Sequence, residues 1–280
     1  MRLGDFRAAF RHSDAVLRGR DPAGRDDPAL PYHLRWVWDG RPFRGRDVVV
    51  RCYHGLGDTL QFSRFLPALG RVAGRVTVEV QAELAELLRP VEGVDRWHPF
   101  DPANPLPPGE CDLEIMELAH ALRQEPDPAP YLRAPPLAEA AGYVGFCWAG
   151  GDWDRERSLP AEALRPVLDL PGLRAVSLQR GMAAGLLPLP DPLGGSMDVA
   201  RLAGLLAGLR AVVTVDTMVA HLAGALGCPV FLLLKHDPDW RWGAEGAWYR
   251  GVRSFRQERP GEWGGAVRRL AGTLAAVEGL

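Results

Sequence analysis

VVVRCYHGLGDTLQFSRFLPAL, Val48 to Leu69, carries the pattern from which the architecture follows. Val48–Val50 has the apolar, β-branched character of a buried strand, and Gly55 and Gly57 mark a loop. Asp58 follows, then an amphipathic helix over Thr59–Leu69. In that helix Phe62, Phe65, Leu66 and Leu69 recur at i, i+3, i+4 and i+7, which gives one apolar face. Strand, glycine loop and helix in this order bring backbone N–H groups and one polar side chain to the carboxyl edge of a sheet, where α/β proteins bind ligands. Asp58 stands where a dinucleotide fingerprint has another glycine, which points to base chemistry. With Gln61 it also fits a helix N-cap and capping box.

The same alternation extends in both directions. Strands are expected at 48–51, 75–80, 94–98 and 113–116, with a helix at 83–88 and a proline-rich loop at 99–110. A second alternation runs from a strand at 143–148 through a helix at 160–170, a strand at 173–178 and a helix at 199–209. It continues with a strand at 211–215, a helix at 217–226 and a strand at 230–234, then an aromatic loop (Trp240, Trp242, Trp248, Tyr249) and a helix near 265–277. The segment EPDPAPYLRAPP, Glu125–Pro136, reads as a linker between the two. The expected architecture is α/β: two Rossmann-like lobes facing a cleft, preceded by a short helical extension. The divisions are 1–46 (helix at 2–19 and connector), 47–130 (first lobe) and 131–280 (second lobe).

Formal net charge is −2, so composition offers no general attraction to nucleic acid or to anionic membrane. Lys235 is the only lysine. Cys52, Cys111, Cys147 and Cys228 have no CxxC spacing and lie mostly in apolar runs, which reads as reduced, buried thiols in a cytoplasmic protein. The opening residues lack the apolar core of a signal peptide, and no apolar run is long enough to span a membrane. Asp152-Trp153-Asp154 and Asp237-Pro238-Asp239 lack further ligands at fixed spacing, so neither a metal nor a cofactor is expected.

Two further segments carry candidate chemistry. In VVTVDTMVAHLAGALG, Val212–Gly227, Val219, Leu222, Ala223 and Leu226 form the buried stripe. Thr217 and His221, at i and i+4, share another face beginning at the helix N-terminus, whose dipole and N–H groups suit a phosphate. Asp216 reads equally as the helix cap, Thr217 as a first-turn surface residue and His221 as a packing histidine. In GDWDRERSLP, Gly151–Pro160, Arg155 and Arg157 lie in the loop after a strand, where guanidinium groups suit a diphosphate. The competing reading is a solvated run paired with Asp154 and Glu156. The late tryptophans read as stacking surfaces or, more commonly, as packing.

These pieces in this order resemble glycosyltransferase family 9, the heptosyltransferases, and within it the bacterial branch fused to tetratricopeptide repeats. Gly55-Leu56-Gly57-Asp58-Thr59-Leu60-Gln61-Phe62, with Arg64 and Leu66-Pro67, is similar to the family's N-terminal loop and helix. Asp216-Thr217, His221-Leu222-Ala223 and Gly227-Cys228-Pro229 resemble its donor-site motif. Trp38-Asp39-Gly40, Pro238-Asp239-Trp240-Arg241-Trp242 and Phe255-Arg256-Gln257 resemble the repeat-fused branch. The resemblance implies a GT-B fold, with the acceptor on the first lobe and a nucleotide-diphosphate sugar as donor substrate on the second. It also implies inverting, metal-independent transfer to a hydroxyl. Asp58 matches the general base. Arg157, ahead of Ser158-Leu159-Pro160, falls where the family stabilises the leaving diphosphate, and Asp216, Thr217 and His221 match donor-phosphate positions. Gly55, Gly57 and Arg155 complete the donor-binding candidates, and Gln61, Glu117 and His120 are the acceptor-side candidates.

The sequence also departs from the family pattern. The first lobe is short, Glu114–His120 is polar, and Lys235-His236 replaces apolar or proline residues after the last strand. The acceptor stays open among protein, glycan and small molecule. Two other readings compete: a catalytically silent GT-B-like module that binds a nucleotide or a protein, and a Rossmann oxidoreductase or methyltransferase with Glu79 as ribose ligand.

Overall fold

A computed structural model describes residues 4–276. The chain divides into two compact units, one ending at Pro126 and the other beginning at Asp127. The outermost expected helix ends, at residue 2 and at Val277, lie outside the described residues.

The first unit opens with α1 (Phe6–Gly19), capped by the Asp5 carboxylate, which accepts from the Ala8 N–H. Its sheet comprises β1 (Asp47–Arg51), β2 (Arg75–Val80), β3 (Arg96–Pro99) and β4 (Cys111–Glu114). The strands are parallel, in the order β3-β2-β1-β4. Val48 and Val50 are buried, as are Val76, Val78 and Val80 on the neighbouring strand. Such β-branched runs are what a parallel sheet covered on both faces requires.

After β1 the helical region is broken where the sequence suggested one helix. α2 (Leu56–Phe62) passes through a 3-10 turn at Ser63–Phe65 into α3 (Leu66–Gly70). Pro67 is the cause, because it has no N–H to donate back to the carbonyl of residue 63. The apolar face survives the break: Phe62, Phe65, Leu66 and Leu69 are all buried. α4 (Ala82–Leu88) and α5 (Leu118–Leu122) complete the unit.

The turn ahead of α2 differs from expectation in a way that bears on chemistry. Gly55, not Asp58, is the N-cap, and Asp58 is the third helical residue. A glycine has no side chain with which to cap, so the Asp58 carboxylate reaches back and accepts the Gly55 N–H at 3.0 Å.

In the second unit β5 (Val144–Cys147) is followed by a 3-10 turn at Ala161–Leu164 and by α6 (Arg165–Leu168), separated from that turn by Pro166, which has no N–H for the carbonyl of residue 162, and ended ahead of Pro171-Gly172. Next come β6 (Ala175–Ser177), α7 (Val199–Gly208), β7 (Ala211–Val215), α8 (Met218–Leu226) and β8 (Val230–Leu234). β9 (Val252–Arg256) and α9 (Gly264–Ala276) close it. The sheet is again parallel, in the order β6-β5-β7-β8-β9. A core of Phe146, Trp148, Val213, Leu233, Phe255, Trp263 and Leu270 joins one face of this sheet to α6 and α9.

β9 was not expected. It is an edge strand with Arg253 and Arg256 exposed and Phe255 turned inward, too short and polar to display an apolar run. Among the described residues no helix is long and apolar enough to cross a membrane.

Candidate functional site

Each sheet has a place where the chain turns from building outward on one side to building on the other, and ligands bind in the crevice at such switch points. In the first sheet it lies between the carboxyl ends of β1 and β4. In the second it lies between those of β5 and β7. The residues singled out from sequence collect at these two edges.

At the first edge, Gly55, Gly57 and Asp58 form the turn from β1 into α2. A chain of hydrogen bonds fixes it. Thr59 donates from Oγ1 to Gln81 Oε1 at 3.0 Å, and Gln81 Nε2 donates to the His54 carbonyl at 2.8 Å. The His54 ring meets the buried Glu114 at the end of β4, with Nδ1 3.0 Å from Oε1. Nothing in the sequence reading pointed to this pair, because it exists only once β4 lies beside β1.

The three acceptor-side candidates are turned inward. Gln61 is fully buried. His120 is buried with Nε2 2.8 Å from Asp14 of α1, and its ring lies edge-on to Trp38 at 5.5 Å. The Glu117 carboxylate accepts the N–H groups of Trp38 and Glu114 at 3.0 and 2.9 Å, and pairs with Arg20 at 3.2 Å. Glu117 and His120 therefore fasten α1 and the connector to this unit. Trp38, Arg20 and Asp14 lie 79, 97 and 106 residues before their respective partners in the chain, beyond the reach of local pattern.

Burial raises the Glu117 carboxyl from 4.5 to about 7. The folded state thus holds its proton where the unfolded chain releases it, so stability falls as pH rises from about 4.5 to 7. The carboxyl is 17% exposed, so the contribution is discounted to on the order of 2 kcal/mol. Urea titrations at pH 5 and pH 8 are expected to differ by about that much more in the wild type than in Glu117→Gln. Equal differences in both proteins would contradict the burial argument.

Glu79 is removed from any ligand role. It is wholly buried and paired with Arg51 at 2.7 Å, so it cannot hold a ribose. Arg51 also pairs with Asp112 at 2.8 Å and donates to the carbonyls of Leu106 and Pro107. This knot ties the proline-rich loop to the sheet edge.

At the second edge, Thr217 is the N-cap of α8. Its Oγ1 accepts from the Val219 N–H at 3.2 Å and lies 3.2 Å from Thr214 Oγ1. Asp216 is thus left uncommitted to capping, contrary to one expectation. Its carboxyl is raised chiefly by burial, while the Trp242 indole and the Arg157 charge pull it down. His221 is buried, with Nδ1 3.0 Å from the Tyr249 hydroxyl, Nε2 3.9 Å from Asp216 and its ring stacked on Trp242 at 5.1 Å. Trp242 and Tyr249 consequently serve as packing for His221.

Arg155 and Arg157 separate. Arg155 is exposed and pairs with Asp152 at 3.1 Å, solvated as the competing reading has it but not with the Asp154 and Glu156 partners expected. Arg157 lies in the 3-10 turn Arg155–Arg157, with its guanidinium 4.5 Å over Trp153 and its Nε buried without a hydrogen-bond partner. A buried donor left unsatisfied is costly, so its position calls for an acceptor.

Two residues that sequence did not suggest hold this loop. Gln179 Oε1 accepts from the Trp148 and Ala149 N–H groups at 2.9 and 2.8 Å, which pins the loop where it leaves β5. Gly150 gives Arg157 its room, since a Cβ there would lie 2.5 Å from Nε. The clash involves the far part of a flexible side chain, so Gly150→Ala is expected to leave the melting temperature within about 2 °C while displacing Arg157. Binding of a nucleoside diphosphate should weaken roughly tenfold, about 1.4 kcal/mol. Unchanged affinity by calorimetry would show that Arg157 does not need this seat.

An arginine with an unsatisfied Nε and a helix N-terminus beside one switch point suit a diphosphate, and a carboxylate at the other suits proton abstraction from a hydroxyl. Among the described residues no group of three or more His, Cys, Asp or Glu is arranged to hold a metal.

Residues 178–261, from the end of β6 past β9, match the sequence model of glycosyltransferase family 9 (heptosyltransferase). Protein FlbA of Caulobacter vibrioides is 26% identical over 284 residues, covering 85% of this chain and 48% of its own length. The chain thus spans about half of that curated relative. The E. coli ADP-heptose lps heptosyltransferase II superposes with a TM-score of 0.60 at 16% identity, covering 82% of this chain and 98% of that one. TibC of enterotoxigenic E. coli, an iron-containing dodecameric heptosyltransferase solved with ADP-D-β-D-heptose, gives 0.57 at 15%, covering 78% and 64%. At these identities the structural likeness is one of fold.

Proposed function

From a chain whose residues 178–261 form a glycosyltransferase family 9 segment, on a fold shared with heptosyltransferases, we propose an inverting, nucleotide-sugar-dependent glycosyltransferase. The donor diphosphate lies on the second unit, at Arg157 and the Asp216-Thr217 entrance to α8, with His221 bracing Asp216. Asp58 of the first unit takes the proton of an acceptor hydroxyl. The hydroxyl oxygen bonds to the anomeric carbon as the bond to the diphosphate breaks, and the nucleoside diphosphate leaves with the electron pair. Attack from the face opposite the leaving group inverts the anomeric centre.

The observation that carries this reading is the buried, unpartnered Nε of Arg157. A fixed cation aimed where negative charge develops is worth most in a site from which water is excluded. Arg157 supplies that charge, so transfer is expected to be insensitive to a chelator. The iron named for TibC is a property of that protein.

A second reading, a catalytically silent binding module, draws on the inward-facing Gln61, Glu117 and His120. One experiment separates the two. ADP, GDP, UDP, dTDP and their sugars are screened by melting temperature, since a ligand of the folded state raises it. Release of the matching nucleoside diphosphate from its sugar is then measured with and without chelator. Binding with release supports the transferase, binding without any release supports the silent module, and no binding overturns the transferase and leaves the silent module only its protein-binding form.

A further inference from the structure

Lys235 is the first residue after β8, and Asp154 belongs to the loop after β5. β7 stands between those two strands. Neighbouring strands are about 4.8 Å apart, so β5 and β8 are separated by roughly 10 Å at this edge. Nevertheless Lys235 Nζ lies 2.8 Å from Asp154 Oδ2, with both side chains largely buried, at 21 and 18% exposure. The two side chains and their contact therefore bridge the end of β7, where Asp216 and Thr217 begin the α8 junction. Glu156 approaches the same amine at 3.4 Å but is 85% exposed, and so contributes little.

Asp154 immediately precedes the turn that carries Arg157. At its base the loop is pinned by Gly150 N–H to Ser158 Oγ at 3.0 Å and by Leu159 N–H to the Trp148 carbonyl at 3.0 Å. Its tip is held by the amine on β8. Arg157 itself gains no hold through Nε, so its place depends on where the loop is fastened.

We propose that Lys235, through its ion pair with Asp154, is a positioning residue that clasps the Arg157 loop over the donor-diphosphate site. The inference rests on the donor reading given above. It differs from direct phosphate binding by Lys235, because the amine is already engaged by a carboxylate that points it at the loop.

The test is calorimetric titration with whichever of ADP, GDP, UDP or dTDP raises the wild-type melting temperature. Lys235→Met and Asp154→Asn are each expected to weaken binding about tenfold, and the double variant no further, because both single changes open one clasp. Lys235→Arg should retain most of the affinity. Since the chain has one lysine, amine-reactive labelling followed by peptide mass spectrometry reads the clasp directly, and Asp154→Asn should speed labelling of Lys235. If Asp154→Asn binds as tightly as wild type or tighter while Lys235→Met binds weakly, the amine is a direct ligand and the clasp is wrong. Full affinity in Lys235→Met overturns the role outright. A wild type that binds none of the four diphosphates overturns the donor reading, and this role falls with it.

Discussion

Asp58→Asn is expected to lower the rate of sugar transfer by roughly 10²–10⁴-fold, the range over which general-base catalysis operates. The substitution keeps the side-chain oxygen that accepts the Gly55 N–H at 3.0 Å, so the turn into α2 should persist and melting should change little. Alanine would remove that acceptor as well, adding a cost of about 1 kcal/mol from the lost cap and confusing folding with chemistry. The informative combination is therefore an asparagine variant that melts like wild type, binds nucleoside diphosphate like wild type and transfers no sugar. An asparagine variant transferring at the wild-type rate would leave Asp58 as a capping residue only, the role its geometry already gives it.

Arg51 predicts the largest effect on stability. It is 2% exposed and sits between Glu79, fully buried, and Asp112, 7% exposed. It also satisfies the carbonyls of Leu106 and Pro107, at 2.8 and 3.0 Å. Arg51→Met fills similar volume but leaves two buried carboxylates without their counter-charge, each keeping one backbone donor, and two carbonyls without the guanidinium. Breaking a buried ion pair from one side costs about 3–5 kcal/mol, a large share of the 5–15 kcal/mol that holds a typical domain folded. Urea unfolding of Arg51→Met should show that loss, with the proline-rich loop released from the sheet. Adding Glu79→Gln and Asp112→Asn should recover part of it, because the stranded charges are then gone. A loss below about 1 kcal/mol in the single variant would mean the carboxylates find other partners or stay protonated at little cost.

What the sequence displayed, and what it hid, follows from the range over which each feature is determined. Arg75–Val80, Ala211–Val215 and Val230–Leu234 are apolar or β-branched runs, and each forms a strand with those bounds. Val252–Arg256, half-exposed at the sheet's edge, carries no such run. Helix breaks at Pro67 and Pro166 follow from chemistry that was visible in the chain, yet the continuous apolar face at Phe62–Leu69 argued for one helix. Asp58, Arg157, Asp216, Thr217 and His221 could be singled out because each sits at a strand–helix junction. Which of Arg155 and Arg157 would be half-buried was not legible, because Gly150 and Trp153 decide it in three dimensions. His54 with Glu114, Arg51 with Glu79 and Asp112, and Lys235 with Asp154 were likewise hidden. Each joins different strands, so each depends on strand order rather than on spacing along the chain.

The proposed transferase divides its labour, with diphosphate held at Arg157 and α8 and the proton taken by Asp58. Calorimetric titration of one nucleoside diphosphate into wild type, Arg157→Gln and Asp58→Asn tests it most directly. Arg157→Gln is expected to weaken binding by at least tenfold, about 1.4 kcal/mol, while Asp58→Asn binds within twofold of wild type. Tight binding by Arg157→Gln together with lost binding in Asp58→Asn would contradict it, and would move the phosphate site to the Gly55–Asp58 turn.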